Sequence, residues 1–472
     1  MIKIFFGVLG GSIIKSLLPI IIIPIFIKYW GSQDYGKWLT SMAASAIISL
    51  LGFGLNNFGI NKCQIAFKQA RTSKNKTYDS LLSLNIIIYI GAHFISVLYL
   101  SFINIFINFE DITLVLIFGF YNAASILSSY LSVSLRITEK FHIGLYISIA
   151  LNIILYLGVA LLVINNFSLT FVAIWMLIMV NFVSLVFYYI LHHVYKIPFR
   201  FRYSFKTFLI YINRSYKILY FQLGDYFRIQ LPLLFFGIYT SAIQVVIYTV
   251  NRTLANILSQ AFIIVHNTIM QKIAANFAEG NKIQQRILYK LIFYLLVPVL
   301  TLGSVILVEF YEIIINIWIG DTADSILNLS YFKLLIASSY LYCMWNLGTI
   351  FLVSTNNFSA LAKLSLLHGV GFFIFGVCGF YLFNLKGFII AGIIAELIFG
   401  VIIINMRAYK IMNIYFQDVL FLAIFTIINI ITFLSIFLYI QSNLLAFVAS
   451  IFIAILFIGL SIFKNKKLFF AA

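Results

Sequence analysis

The sequence predicts an all-α integral membrane protein with about fourteen transmembrane helices. Of its 472 residues, 63% are hydrophobic and only 9% are charged, whereas a soluble domain has about 25% charged residues. Apolar runs of about 20 residues, long enough to cross the hydrocarbon core of a bilayer, recur along the chain. The basic residues also alternate between successive loops, as expected of a chain that crosses a membrane many times.

The predicted spans fall into two comparable halves of six, followed by two additional helices. This count divides the chain into an N-terminal six-helix bundle (1–191), a basic cytoplasmic connector (192–217), a second six-helix bundle (218–410) and a C-terminal pair of helices with a basic tail (411–472). The individual spans are predicted at 4–27, 39–61, 81–107, 112–135, 143–163, 168–191, 218–238, 242–268, 288–310, 332–353, 364–384, 387–406, 419–440 and 444–463.

The charge distribution supports this topology and orients it. With the N-terminus in the cytoplasm, 24 of the 31 Lys and Arg residues fall on cytoplasmic segments, and most acidic residues fall on the opposite side. This pattern follows the positive-inside rule, so we expect both termini to be cytoplasmic. It also explains the net charge of +18 by topology, without nucleic-acid binding. The first apolar run is too long for the core of a signal peptide, so we interpret it as a retained span.

The seventh span carries the most informative charges. The stretch GDYFRIQLP, residues 224–232, places Asp225 and Arg228 in a run that is otherwise apolar. Because they are three residues apart, they share one helix face. Charged residues inside a membrane are costly and usually face a bundle interior or a watery cavity. Pro232 leaves the carbonyl of Arg228 without its helical partner, which predicts a kink.

A similar arrangement occurs in the first span, where Lys15 is followed four residues later by Pro19. Lys15 and Arg228 are separated by 213 residues, and so are Pro19 and Pro232. Two halves that each begin with a kinked, cation-bearing helix are typical of a transporter built from repeats. The alternative is coincidence, since both short patterns are common.

The remaining intramembrane charges favour an anionic substrate. Lys15, Arg228 and Arg252 together with the single acid Asp225 make a net positive set, and arginine binds phosphate with a bidentate fork. Two plainer interpretations stay open: Asp225 and Arg228 form a structural pair, or Arg252 extends outward to the membrane surface. Glu396 in the twelfth span is isolated, and like Asp225 it is a candidate for coupling to a proton or sodium ion.

Other chemistry is not indicated by the sequence. It contains no Walker A loop, HExxH, GxSxG or clustered CxxC motif, and its three cysteines are too far apart to suggest a disulfide or metal framework. We therefore expect no metal and no bound cofactor. His93, His266 and His368 are lone residues in or near spans, for which packing is a plainer interpretation than a proton relay. The connector either binds anionic lipid headgroups or lies on the bilayer as an amphipathic hinge.

Three segments carry a resemblance to a known family. The opening GSIIKSLLPIIIIPIFIKYWGSQDYGKWLT, LSVSLRITEKFHIG at 131–144 and YTVNRTLANIL at 248–258 resemble bacterial O-antigen and capsule polysaccharide flippases. These form the polysaccharide transporter branch of the multidrug/oligosaccharidyl-lipid/polysaccharide (MOP) superfamily. The resemblance extends over essentially the whole chain, and its motifs are loose.

The resemblance implies a fold, a substrate and a location. The two six-helix bundles would be related by a pseudo-two-fold axis and would work by alternating access in the bacterial cytoplasmic (inner) membrane. The substrate would be an oligosaccharide repeat unit on undecaprenyl pyrophosphate, and the family's cationic cavity would correspond here to Lys15, Arg228 and Arg252, with Asp225 as its acid. Membrane lipids, a polysaccharide polymerase and a chain-length regulator are the implied partners.

Three other functions remain open from the sequence. The two additional C-terminal helices are also found in lipid II flippases of the superfamily. A drug/cation antiporter of the same superfamily would need acids to bind cations, and this chain has more intramembrane cations than acids. An integral-membrane polysaccharide polymerase or ligase would need a large outer loop, and the predicted outer loops are short.

Overall fold

The computed structural model describes residues 2–68, 74–106, 112–138, 141–355 and 357–412. These residues form α-helices joined by short 3-10 and π-helical segments, with no strand among them. The helices are α1 Ile2–Ser45, α2 Leu55–Lys68, α3 Lys74–Phe106, α4 Ile112–Ser134, α5 Phe141–Ile164, α6 Leu169–Tyr189, α7 Phe205–Tyr239, α8 Ala242–Ala255, α9 Ile257–Ala278, α10 Lys282–Glu309, α11 Tyr311–Ile319, α12 Leu329–Ser354, α13 Phe358–Ala395 and α14 Asn405–Met412.

These helices do not correspond one to one with the predicted spans. The span predicted at 242–268 is divided at Asn256 into α8 and α9, and α13 contains the eleventh span and the beginning of the twelfth. The short α11 and the 3-10 turn Gly320–Ser325 lie in the predicted outer loop. Such differences arise because local breaks and turns do not alter the hydropathy of a run.

The chain is a multi-pass membrane protein. Within the described ranges, seven helical segments are long and apolar enough to cross a membrane, which confirms the predicted all-α membrane class. The spans predicted at 419–440 and 444–463 lie outside the described residues, so the count of about fourteen stays a prediction. The seven segments are Lys76–Ser101, Ile112–Thr138, His142–Ile164, Leu169–Val194, Lys282–Glu309, Leu329–Ser354 and Phe358–Met412.

Two long helical runs are each interrupted by one or two residues outside the helical region. In α1 the backbone leaves the helical region at Gly31, which has a φ of 75°, a conformation that costs glycine little. In α13 the reversal is at Phe383 and Asn384, and Asn384 has a φ of 54°. The two arms of α13 approach closely because Gly379 and Gly387 face each other's backbone. α13 is therefore a helical hairpin.

The chain forms two compact units, Met1–Val246 and Ile247–Ala472. In the first unit, α4 packs against α3 and α6, and α1 packs against α5 and α7. The core of this unit includes the fully buried rings of Tyr78, Tyr130 and Phe187.

In the second unit, α12 is the central helix. It contacts α9, α10, α13, α14 and the π-helical segment Glu396–Ile404. Its middle is buried on nearly all sides, including Leu341, Cys343, Met344 and Trp345. A helix that is apolar around its whole circumference is expected at such a central position.

The connector between α6 and α7 is fixed to α3. Residues 195–204 are not helical, and the carboxylate of buried Asp79 accepts a hydrogen bond from the backbone N–H of Arg200. The backbone N–H of Arg202 donates to the hydroxyl of Ser83 at 2.8 Å. The buried side chain of Ile197 adds an apolar contact to the core. The basic connector predicted at 192–217 therefore includes an irregular strap, residues 195–204, and the first turns of α7.

Candidate functional site

The polar face of α7 contains the charges that the sequence singled out. α7 runs unbroken from Phe205 to Tyr239 with Pro232 inside it, and Asp225 and Arg228 lie in its middle, both half-buried. Gln222 lies three residues before Asp225, and its Oε1 is shielded from solvent without a hydrogen-bond partner among the described residues. Gln222 was not among the residues predicted from the sequence, although its spacing from Asp225 places it on the same helix face. The face thus carries an amide, a carboxylate and a guanidinium in succession.

Lys15 lies in the first arm of α1, before the break at Gly31. α1 continues through Pro19, one helical turn after Lys15, and packs against α7 in the first unit. The side chain of Lys15 lies outside the described part of the chain. The contacts that the structure shows between α1 and α7 involve the arm of α1 after Gly31: Thr40 lies against Gly237, and Ala43 and Ala44 share an apolar cluster with Leu234. The kinks predicted at Pro19 and Pro232 stay predictions.

Glycines set the distance between these helices near their other end. A Cβ added to Gly36 of α1 would overlap the backbone carbonyl of Ala242, at the start of α8. A Cβ added to Gly237 of α7 would overlap the side chain of Thr40. The arm of α1 after Gly31 can approach the start of α8 and the end of α7 this closely only because neither glycine has a side chain.

Arg252 lies in the second unit, in the last turn of α8. Its guanidinium carbon is 5.7 Å from the centre of the Tyr248 ring, within the range of a cation–π interaction. The preceding residue, Asn251, is fully buried and accepts a 2.6 Å hydrogen bond from the hydroxyl of Tyr311. The same hydroxyl accepts a hydrogen bond from the backbone N–H of Asn328. Arg252 is therefore on a turn anchored to the segment between α11 and α12.

The sequence suggested that Glu396 is isolated. In the structure it belongs instead to a buried polar cluster. The indole Nε1 of Trp345 donates to its Oε2 at 2.6 Å, and Nε2 of His368 lies 3.2 Å from the same oxygen. The Trp345 and His368 rings are arranged edge to face with centroids 5.0 Å apart. All three side chains are at most 4% exposed. We name Trp345, His368 and Glu396 the tryptophan–histidine–glutamate cluster.

The hairpin of α13 explains why these residues meet. His368 precedes the turn at Asn384 by 16 residues and Glu396 follows it by 12, so the two antiparallel arms bring them to a similar level. Both were predicted as lone residues, because their contact becomes apparent only when their separations from the turn at Asn384 are compared. Within the described ranges, no three His, Cys, Asp or Glu side chains are close enough to hold a metal ion.

Comparison with solved structures identifies the fold of this chain. No protein-family model matches the chain, and a search of curated proteins finds no similar sequence. Several solved structures are similar across most of its length, and three of them represent the range. The lipid II flippase MurJ in an inward closed conformation has a TM-score of 0.67 at 14% identity and covers 99% of both chains. A MOP superfamily transporter from Pyrococcus furiosus has a TM-score of 0.58 at 13% identity, covering 87% of this chain and 95% of that one.

An outward-facing multidrug resistance transporter of the MATE family has a TM-score of 0.56 at 14% identity, with the same two coverages of 87% and 95%. Identities this low establish the architecture and leave the substrate open. The chain accordingly has the all-α transporter fold shared by MurJ and the MATE proteins of the MOP superfamily.

Proposed function

We propose that this protein is a flippase for a lipid-linked oligosaccharide. Its substrate is an oligosaccharide repeat unit of O-antigen or capsule type on undecaprenyl pyrophosphate. The protein moves the headgroup from the cytoplasmic leaflet to the outer leaflet by alternating access, while the polyprenyl chain stays in the lipid. The energy comes from a proton or sodium gradient, and no bound cofactor takes part.

The charge of α7 and α1 carries this proposal. Arg228 lies in the middle of α7, at the seventh predicted span, and Lys15 lies in α1, at the first predicted span. A cation held in hydrocarbon costs several kcal/mol, so its presence requires a compensating polar or anionic group. A pyrophosphate offers oxygens to a guanidinium fork. Transfer of a pyrophosphate and sugars through bare hydrocarbon is far more costly, and a cationic cavity lowers that barrier.

The structural comparisons support the same substrate class. MurJ is a lipid II flippase, and its match extends over 99% of this chain, against 87% for the MATE match. The difference is close to the length of segment 411–472. The Pyrococcus furiosus transporter is described as having a binding pocket of reverse polarity that suggests a different function. Pocket charge therefore distinguishes substrates within one fold, and the excess of cations here favours an anionic one.

The proposed setting is the bacterial cytoplasmic membrane, with both termini in the cytoplasm. A polysaccharide polymerase and a chain-length regulator would act on the translocated unit. The second candidate is a lipid II flippase, which the extent of the MurJ match favours. Both candidates share the pyrophosphate chemistry and differ in the sugars. Cation antiport is disfavoured because Asp225 is outnumbered by Lys15, Arg228 and Arg252.

Complementation tests the proposal. The chain is expressed in a strain that lacks its own O-antigen flippase, and surface polysaccharide is measured together with the amount of protein in the membrane. We expect restored polymer with the natural chain, loss of polymer with Arg228→Ala and partial polymer with Arg228→Lys. Arg214→Ala is the matched control, because Arg214 is an exposed arginine on the same helix.

Two parallel assays separate the alternatives. Rescue of a strain depleted of its lipid II flippase, without restored surface polymer, would assign lipid II as the substrate. Reduced drug susceptibility, without restored surface polymer and without rescue of the lipid II flippase depletion, would assign drug antiport. Full complementation by the alanine variant at position 228 would remove Arg228 from the substrate site.

A further inference from the structure

The tryptophan–histidine–glutamate cluster has no part in binding a pyrophosphate, yet it places two titratable groups in the buried part of the second unit. Glu396 is 0% exposed and His368 is 2% exposed. A lone carboxylate at such a position is strongly disfavoured. From the contact of His368 with Glu396 we propose that this pair is a proton-binding site that couples translocation to a proton gradient. The inference rests on the proposed transport function and names its coupling ion.

The charge states of the pair explain why it would hold one proton. With none, one or two protons bound, the pair carries a net charge of −1, 0 or +1. Only the one-proton state is neutral as a unit, and burial favours it over the other two. Trp345 contributes a donor without adding charge, since an indole N–H only donates. As long as the cluster is closed to water, the proton can neither leave nor be joined by a second one.

Among the described residues of the elements packed against the pair, the other charged side chains are exposed or lie several helical turns away. From α12, buried Cys343 is close enough to interact electrostatically with Glu396, and Lys333 is twelve residues before Trp345. From α13, His368 is the only titratable neighbour of Glu396 that the described contacts show. The other charged residues of α13 and α14 are exposed: Lys363, Lys386, Arg407 and Lys410.

The contacts at Glu396 suit a proton better than a sodium ion. Both described contacts to Oε2 come from nitrogen, one an indole N–H donor and the other an imidazole. Hard cations take several oxygen ligands, and an N–H group directed at the same oxygen would repel a metal ion. A proton needs only one acceptor, which the carboxylate or the imidazole provides.

The packing around the pair can transmit its protonation state. Glu396 begins a π-helical segment, and such widened turns occur often at functional sites. The segment is closely packed: Gly400 lies against the Trp345 ring, where an added Cβ would be 2.7 Å from the indole. Nearby, buried Asn405 has an Oδ1 with no hydrogen-bond partner among the described residues. An unmet acceptor of this kind is costly, so a rearrangement of this segment that satisfied it would recover that cost.

Coupling follows from these properties. In one conformation the pair is open to water on one side of the membrane and takes up a proton, becoming neutral. Neutralisation allows the cluster to close, and opening toward the other side releases the proton. A ligand shifts a conformational equilibrium only through a difference in its affinity for the two states, and here that difference is the cost of burying a charged pair.

Reconstitution of the full chain in proteoliposomes tests the proposal. The probe is an undecaprenyl-pyrophosphate-linked oligosaccharide, and its translocation is followed with no gradient, with an imposed pH gradient and with a sodium gradient. We expect the pH gradient to accelerate the natural chain several-fold and the sodium gradient to have no effect. Glu396→Gln should abolish the acceleration, and His368→Asn should reduce it. The control Glu312→Gln, at an exposed acid on α11, should keep the full acceleration.

The outcomes separate the two hypotheses. Absence of translocation by the natural chain under every condition would contradict the proposed function. The proton site would be overturned if the natural chain translocates at the same rate with and without the pH gradient. It would also be overturned if the Glu396→Gln variant is still accelerated by that gradient. Either result would leave the flippase function intact. If Glu396→Gln does not accumulate in membranes, the response of His368→Asn decides, because an undiminished acceleration in that variant also overturns the proposal.

Discussion

Oδ1 of Asp79 accepts the backbone N–H of Arg200 at 3.1 Å, across 121 residues of sequence. The carboxylate is 4% exposed, and its other oxygen lies 3.5 Å from Nε of Arg202. A buried acid near the start of α3 thereby holds the strap that leads into α7, the helix with Asp225 and Arg228. The strap is thus part of the support of the candidate substrate-binding helix.

Replacing Asp79 with alanine should release this strap. The variant loses the acceptor for the Arg200 N–H, and a hydrogen bond of this kind contributes about 1 kcal/mol. We expect faster tryptic cleavage at Arg200 and Arg202, measured on membrane vesicles. Glu279→Ala, at an exposed acid after α9, serves as the control. Equal cleavage rates in the two variants would show that Asp79 does not restrain the strap.

A methyl group at Gly36 should destabilise the first unit. Its Cβ would overlap the carbonyl of Ala242, and backbone atoms cannot move aside as a side-chain end can. Overpacking of this kind costs typically about 1–3 kcal/mol. We expect Gly36→Ala to lower the melting temperature of the purified protein by several degrees, measured by intrinsic fluorescence.

The matched control is Gly91→Ala in α3. Nothing lies within 4 Å of a Cβ at Gly91, and alanine is the better helix former by up to about 1 kcal/mol. We therefore expect an unchanged or slightly higher melting temperature. A drop as large as that of Gly36→Ala would mean that helix packing at Gly36 is not the cause.

The membrane class and most helices could be predicted because hydropathy reports directly on the bilayer. The runs at 112–135 and 143–163 coincide with α4 and α5 to within a few residues. The break at Asn256 could not be predicted in this way, since a polar residue within an apolar run also occurs in unbroken helices. α11 was missed as a helix because its nine residues are too few to span a membrane.

The candidate residues were predictable only as individual positions. Arg228 and Glu396 stand out because a charge in an apolar run is costly, and that signal is local. The contact of Glu396 with His368 depends on the hairpin of α13, and the Asp79–Arg200 bond depends on tertiary packing. Long-range partners of this kind leave no periodic pattern in a single sequence.

Removing the hydroxyl of Tyr311 should loosen the segment next to Arg252. This group both donates to Asn251 and accepts from the N–H of Asn328 at 2.8 Å. Tyr311→Phe keeps the ring, stacked on Phe332, but removes the donor to buried Asn251 and the acceptor for the partly buried N–H of Asn328, at about 1–3 kcal/mol for the buried group. We expect faster amide exchange at Asn328 by mass spectrometry. Tyr239→Phe, at a 58% exposed tyrosine, should leave exchange there unchanged.

The ring of Tyr248 should position Arg252 for an anionic substrate. The guanidinium carbon lies 5.7 Å from its centre, and a cation–π contact of this kind is worth roughly 0.5–2 kcal/mol. In the proteoliposome assay we expect Arg252→Ala to reduce translocation strongly and Tyr248→Leu to reduce it several-fold. If the two residues act together, the double variant should be no slower than Arg252→Ala alone.

Lys272→Ala is the control for these variants, because Lys272 is an exposed cation on α9. We expect the Lys272→Ala variant to translocate the substrate at the rate of the natural chain. If the translocation rate of the double variant falls by the product of the two single-variant reductions, the ring does not position the guanidinium. Translocation by Arg252→Ala at the natural rate would instead favour the interpretation in which Arg252 extends to the membrane surface. The cationic set would then consist of Lys15 and Arg228, both in the first unit, and the substrate charge would be bound by α1 and α7 alone.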